Sequence, residues 1–173
     1  MSRNIVVMGV AGSGKSVIGA WLADQIGRSF HDGDDFHPEA NVQKMARGEP
    51  LDDGDRAGWL ARLADLLTTS QAENSPIVLA CSSLKATYRE QLSAGGRSLF
   101  LFLDVPRDVA EARLESRKGH FMPASLVQSQ FETLEKPTDA IYVNNDRDLT
   151  VVQREILERV GEALNRQAPA LRQ

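Results

Sequence analysis

The sequence predicts an α/β fold in which buried strands alternate with helices. Residues 4–8 and 99–103 are short, almost continuous apolar runs, as in strands covered on both faces. After residue 16 the apolar positions switch to helical spacing, with Ile18 and Leu22 on one side. This alternation of the two periods indicates a sheet with helices packed against it.

A glycine-rich loop follows the first strand and organises the chain. Residues 9–16 read Gly-Val-Ala-Gly-Ser-Gly-Lys-Ser and match the pattern G-x-x-x-x-G-K-[ST]. The glycines let backbone N–H groups turn inward toward polyphosphate oxygens, and the next helix aims its positive dipole end at the same place. Lys15 adds a cation and Ser16 a hydroxyl for Mg²⁺. The loop predicts a nucleoside triphosphate site; the alternative is a plain turn between strand and helix.

Length, charge and cysteine content limit the function classes. With 173 residues, 42% of them hydrophobic, we expect one domain over residues 1–173. A net charge of -4 argues against a general nucleic-acid or membrane-surface binder. The single cysteine, Cys81, cannot form an intramolecular disulfide, and the chain starts with a strand pattern instead of a leader. We expect a cytoplasmic protein with a small-molecule partner.

An acidic stretch follows a short extended segment. Asp32, Asp34 and Asp35 fall within four positions and repel one another, which suggests a cation or a proton-transfer task nearby. Asp34 is the candidate general base. The alternative is an acidic turn before a helix that has Pro38 at its first position.

The middle of the chain supplies candidate ligands for an anion. Arg56 lies at the predicted start of a helix, where the dipole disfavours a cation, so a ligand or an aspartate is expected to hold it there. Ser82 and Lys85 follow the apolar run 77–81, and ligands of α/β folds bind at the carboxyl ends of strands. An ordinary surface arginine and serines that cap the next helix are the alternatives.

The second half predicts a lid. Arg113 and Arg117 are expected on one face of a helix that starts at Pro106, and a Gly-to-Pro break and a further helix at 124–135 follow. A lid over about residues 113–135 would exclude water and bring arginines to the transferred charge. Asp104, at a strand end, could organise Mg²⁺, but the start of a helix explains it more simply.

Five stretches in this order resemble the short bacterial-type gluconokinases, from Ile5 to about Pro137. They are MGVAGSGKS, DGDDFHP, NVQKMARGEPLDDGDRAGWL, CSSLKATYR and RKGHFMPASLVQSQFETLE. The resemblance implies ATP-dependent phosphorylation of D-gluconate at its 6-hydroxyl. It also implies a P-loop kinase fold with a five-stranded parallel sheet flanked by helices, a helical lid, and a homodimer.

The resemblance, together with the chemistry of each residue type, assigns roles along the chain. The predicted site residues are Lys15, Asp34 and Arg117 for catalysis; Gly9, Gly12, Ser13, Gly14, Lys15, Ser16 and Arg113 for ATP; Asp34, His37, Arg56, Ser82, Lys85 and Arg89 for gluconate; and Ser16 and Asp32 for Mg²⁺. The roles of Asp32 and Asp34 could be exchanged. Asp35 departs from the apolar residue often found there and has no assigned role.

Two other functions stay open at this point. A sister kinase for another small acid, such as shikimate, would share the fold and the phosphate chemistry. A nucleotide switch or assembly ATPase would share only the phosphate loop, and the predicted lid with its arginines favours transfer to a sheltered acceptor instead.

Overall fold

The computed structural model describes residues 3–93, 95, 98–117 and 123–166. Five strands form one sheet in the order β2-β3-β1-β4-β5, and every pair of neighbours is parallel. The strands are β1 Asn4–Met8, β2 Phe30–Asp32, β3 Val78–Ala80, β4 Ser98–Asp104 and β5 Ile141–Asn144. The expected five-stranded parallel sheet is therefore confirmed.

The described residues contain seven α-helices and one 3₁₀ turn. The helices are α1 Lys15–Gln25, α2 Glu39–Ala46, α3 Asp53–Ala72, α4 Ala86–Leu92, α5 Arg107–Glu115, α6 Ala124–Thr133 and α7 Leu149–Asn165. The 3₁₀ turn, Gly33–Phe36, contains two of the three clustered aspartates, and we call it the acidic turn.

Helices cover both faces of the sheet, which explains the unbroken apolar strands. Ile5 and Val7 of β1 pack with α1 and α7, while Val6 and Met8 pack with α3 and α4. Because successive side chains of a strand point to opposite faces, a strand between two helical layers has no solvent-exposed position to make polar. All five residues of β1 are buried.

One polar residue of β1 is buried because its amide joins three elements. The Asn4 side chain donates to the carbonyl of Leu67 at 2.8 Å. Its Oδ1 accepts from Ser70 Oγ and from the Ile77 N–H, each at 2.9 Å. Since every polar atom of the amide has a partner, its burial carries little desolvation cost.

One detail of the predicted helices was wrong. Helix α5 ends at Glu115, so Arg117 lies beyond it and does not share a helical face with Arg113. Leu114 is the last buried residue of α5, and residues 115–117 after it are exposed, so they add no apolar packing that would extend the helix. The predicted break at 118–123 lies almost wholly outside the described residues.

The parallel arrangement brings the carboxyl ends of all five strands to one edge of the sheet. The phosphate loop (residues 9–16), the acidic turn and residues 81–85 follow β1, β2 and β3 at this edge. In the ranges that the structure describes, no helix is long and apolar enough to cross a membrane.

Candidate active site

Three glycines of the phosphate loop have positive φ angles. The values are 147° at Gly9, 79° at Gly12 and 96° at Gly14. A Cβ atom at Gly12 would lie 2.5 Å from the Ala110 carbonyl oxygen, and one at Gly9 would lie 2.7 Å from that of Leu103. Both the conformation and the space therefore require glycine at these positions.

Helix α1 begins at Lys15 with Gly14 as its N-cap, and no side chain caps it. Lys15 Nζ donates to the Val10 carbonyl oxygen at 2.9 Å, which folds its ammonium group over the loop. Burial lowers the pKa of Lys15, while the negative charges of Asp34 and Asp32 raise it and Arg117 lowers it.

Ser16 and Asp32 form the oxygen-rich part of the site. Ser16 Oγ donates to Asp32 Oδ2 at 2.6 Å, and the other carboxylate oxygen accepts from the Asp34 N–H at 3.0 Å. This second bond caps the acidic turn and leaves the Asp34 carboxylate 80% exposed. A hydroxyl and a carboxylate at one point are hard oxygen ligands and fit Mg²⁺.

A second group of side chains, the Tyr88 cluster, consists of Arg56, Lys85, Tyr88 and Asp53. Arg56 Nη1 donates to the Tyr88 hydroxyl at 3.1 Å, and that hydroxyl donates to Asp53. Lys85 Nζ donates to both carboxylate oxygens of Asp53, at 2.9 and 3.1 Å. Both cations lie 5.6 Å from the Tyr88 ring centroid. The hydrogen bonds from Tyr88 and Lys85 lower the pKa of Asp53.

His37 lies between the acidic turn and the Tyr88 cluster. Its ring stacks on Trp59 at 4.2 Å between centroids, and Trp59 Nε1 donates to the Gly33 carbonyl at 2.7 Å. His37 Nε2 lies 3.9 Å from Asp34 Oδ1. Burial lowers the pKa of His37; Asp34 raises it and Arg56 lowers it.

Two of the predicted arginines bind carbonyl oxygens in this structure. Arg113 donates to Asn145 O at 2.6 Å and to Gly12 O at 3.4 Å. Arg89 donates to Ser83 O at 2.9 Å and to Leu84 O at 3.2 Å. Both therefore support loops of the site, and their direct contacts with ATP or an acid substrate stay predictions.

The remaining predicted residues border the loop in different ways. The Ser82 carbonyl oxygen accepts from the Gly9 N–H at 3.3 Å, so the loops after β1 and β3 are joined. The Asp104 carboxylate instead accepts from Lys136 at 3.0 Å and from Tyr142. Asp104 therefore does not cap α5, whose N-cap is Pro106, and its side chain instead joins β4 to Lys136 and Tyr142.

Several contacts with the phosphate loop had no signal in the sequence. Gln130 Oε1, on α6, accepts from the Ala11 N–H at 2.7 Å. Asn145 is 6% exposed, and its Nδ2 donates to the Ser13 carbonyl oxygen at 2.7 Å. In the Tyr88 cluster, the sequence likewise gave no role to Tyr88 or Asp53. Each is a single polar residue whose partner is distant in sequence, so no local pattern marks it.

Comparison with known proteins identifies the family. The shikimate kinase family model matches residues 11–166. The thermoresistant gluconokinase of Escherichia coli (strain K12) is 43% identical over 158 residues, which cover 88% of this chain and 90% of that protein. The gluconokinase of Gluconobacter oxydans (strain 621H) is 44% identical over 159 residues, covering 90% and 89%.

A solved structure agrees with these relatives. The crystal structure of a gluconokinase from Sinorhizobium meliloti 1021 superposes with a TM-score of 0.85 at 41% identity, covering 96% of this chain and 98% of that one. With its phosphate loop, its parallel sheet and this degree of identity, the chain belongs to the gluconokinase family, within the shikimate kinase-like P-loop kinases.

Proposed function

We propose that the protein transfers the γ-phosphoryl group of ATP to the 6-hydroxyl of D-gluconate, giving 6-phospho-D-gluconate and ADP. One observation carries the proposal beyond family membership. Polar side chains lead from the phosphate loop toward the Tyr88 cluster. Ser16 is bonded to Asp32 at 2.6 Å, Asp32 accepts from the Asp34 N–H at 3.0 Å, and Asp34 Oδ1 lies 3.9 Å from His37 Nε2. The charge of Arg56, in the Tyr88 cluster, acts to lower the pKa of His37. A phosphate donor and an acidic acceptor could therefore be held at the two ends of one site.

Arg56 suits the carboxylate end of gluconate. A guanidinium group can bind a carboxylate through two parallel hydrogen bonds, which fixes direction as well as charge. The Tyr88 hydroxyl holds Arg56 at 3.1 Å, so the side chain is already ordered. Lys85 would supply a second cation, although Asp53 neutralises it here at 2.9 Å. The other residues proposed to line the gluconate-binding site are Ser82, His37 and Arg89.

Asp34 is the proposed base at the transfer end. Its exposed carboxylate can accept or orient the proton of the attacking hydroxyl. Asp32 is less available, because both its oxygens already accept hydrogen bonds, at 2.6 Å from Ser16 and 3.0 Å from the Asp34 N–H. This difference supports Asp32 as a Mg²⁺ ligand and Asp34 as the base.

Ser16 and Asp32 would hold Mg²⁺, which neutralises charge on the phosphate oxygens when bound. Gly9 and residues 12–16 would form the loop around the β- and γ-phosphates. The Gly9 N–H donates to the Ser82 carbonyl oxygen and the Ser13 N–H to that of Val10, so the phosphates would be received chiefly by the other N–H groups of residues 12–16. Lys15 and Arg117, with Arg113 behind the loop, would balance the charge that develops during transfer.

The remaining parts of the proposal rest on the family resemblance and on composition. They are a single domain over residues 1–173 with a lid at about 113–135, a homodimer, and a cytoplasmic location. The contact between Gln130 and the Ala11 N–H supports a lid that reaches the phosphate loop through α6.

A coupled assay of ADP release tests the function. We expect Mg²⁺-dependent turnover with D-gluconate and little or none with other sugar acids, shikimate or nucleoside monophosphates. Preference for shikimate would favour the sister kinase, and strong ATP hydrolysis without any acceptor would favour a nucleotide switch. Either result would contradict the proposal.

A further inference from the structure

Asn41 is a buried polar residue that the sequence patterns did not single out. It lies in the first turn of α2 and is 4% exposed. Its Nδ2 donates to the Asp55 main-chain carbonyl oxygen at 2.8 Å and lies 3.3 Å from His37 Nδ1. The side chain therefore connects the start of α3 to the imidazole ring of His37.

The Asp55 carbonyl fixes which way the Asn41 amide points. A carbonyl oxygen can only accept, so the amide nitrogen must face it, and the reverse orientation would place two oxygens against each other. The Asp55 side chain accepts from Lys44 at 2.6 Å and from the Asp52 N–H at 2.9 Å, which anchors this residue in the capping box of α3. The carbonyl is thus held by the start of a helix.

The amide orientation then fixes the protonation of His37. An amide nitrogen carries two hydrogens; one is used by Asp55, and the other faces His37 Nδ1. Nδ1 must therefore accept, and a neutral ring then carries its hydrogen on Nε2. In a charged ring, a hydrogen on Nδ1 would oppose the amide hydrogen, which agrees with the pKa of His37 being lowered, chiefly by burial.

The His37 side chain is only 5% exposed, and its Nε2 faces the exposed carboxylate of Asp34. Trp59 covers one ring face at 4.2 Å, Asn41 occupies Nδ1, and the Arg56 charge disfavours a second cation. Asp34 Oδ1 lies 3.9 Å from Nε2, too far for a hydrogen bond, and its side chain is 80% exposed. An oxygen of a bound polyol acid that lies to one side of this pair could accept from Nε2 and remain within hydrogen-bond distance of the Asp34 carboxylate.

We infer that Asn41 is a positioning residue that holds His37 as its Nε2–H tautomer, and that His37 thereby donates a hydrogen bond to an oxygen of the sugar acid beside Asp34. This inference rests on the proposed function for the identity of the acid, but the tautomer does not depend on it. His37 then distinguishes ligands by geometry, while Arg56 recognises their charge.

The tautomer is measured directly in the unliganded wild-type protein. Nitrogen-15 NMR of the histidine rings distinguishes a protonated from an unprotonated ring nitrogen, and His37→Phe assigns the signals among the three histidines. We expect Nε2 protonated and Nδ1 unprotonated at neutral pH. A hydrogen on Nδ1 would overturn the inference, whatever substrate the enzyme uses.

Replacement of Asn41 tests its role. Asn41→Asp offers Nδ1 a carboxylate acceptor, so we expect the NMR titration midpoint of His37 to rise above the wild-type value. A midpoint at or below the wild-type value would overturn the positioning role. A melting curve shows whether the Asn41→Asp variant folds. If it does not fold, the tautomer measured in the wild type and the kinetics of the His37 variants still test the inference.

Kinetics test the donor role. His37→Phe keeps the ring stack but removes the donor, so the KM for gluconate should rise about 3- to 10-fold with the KM for ATP unchanged. His37→Gln places an amide N–H near the position of Nε2 and should retain most of the wild-type KM. Equal losses in both variants would overturn the donor role, whereas a wild-type enzyme without activity on gluconate would overturn the proposed function instead.

Discussion

The phosphate loop and the Tyr88 cluster are held in place by different means. The loop depends on backbone: three glycines with positive φ, and a helix N-terminus that no side chain caps. The Tyr88 cluster depends on side chains from α3, α4 and the residue before α4, joined through one phenol hydroxyl. The conformation of the phosphate loop is therefore set mainly by contiguous residues, and the distant side chains of Gln130 and Asn145 only brace it. Recognition of the acid instead depends on residues about thirty positions apart.

The sharpest test of this comparison is at the residue between the two regions. Asp34→Asn should fold normally and lower kcat by about 10² to 10⁴, because the amide cannot take the hydroxyl proton. Steady-state kinetics with saturating ATP and gluconate would measure it. Near-normal turnover would remove Asp34 from the mechanism.

The second prediction separates the regions by substrate. Arg56→Ala should raise the KM for gluconate about 10- to 100-fold, the usual range for loss of a charge-assisted pair, and leave the KM for ATP unchanged. Arg166→Ala is a matched control, since Arg166 is exposed at the end of α7 and pairs with Glu162 at 2.9 Å. An effect confined to ATP would show that Arg56 does not bind the carboxylate.

The third prediction is the converse of the second, because the variant should affect the KM for ATP and not the KM for gluconate. Asn145→Ala removes the donor to the Ser13 carbonyl and leaves that oxygen without this partner. We expect the KM for ATP to rise about 3- to 10-fold and the KM for gluconate to stay the same. If both constants rose equally, the two regions would not be independent.

The smallest expected effect concerns Cys81, a buried residue that directly follows β3. Burial raises the pKa of its thiol from 9.0 to about 11. Below pH 9 both folded and unfolded chains keep the proton; between about pH 9 and 11 only the unfolded chain loses it, so stability falls as pH rises.

Denaturant unfolding of the wild type and of Cys81→Ala at several pH values would measure this loss. The stability advantage of the wild type should shrink above pH 9, by up to about 1.4 kcal/mol per pH unit. A difference that does not change with pH would mean that the thiol ionises as readily in the folded chain.

The predictions from the sequence were correct where residues adjacent in the sequence determine the local structure or the role. The apolar runs predicted the strands because both faces of the sheet are covered, and the loop pattern placed Lys15 and Ser16 together. The predictions misplaced Arg117 because the end of α5 depends on where buried contacts stop. They missed Asn41, Tyr88 and Asn145, whose partners come from other elements.

Because Trp59 stacks on His37, its intrinsic fluorescence should change when a ligand binds beside His37. Trp59 is 3% exposed and bonded to the Gly33 carbonyl, so its indole senses the acidic turn from one edge and the imidazole from one face. The only other tryptophan, Trp21, packs on the opposite side of the sheet. Emission from a Trp21→Phe variant should therefore report occupancy of the sugar-acid end without any label.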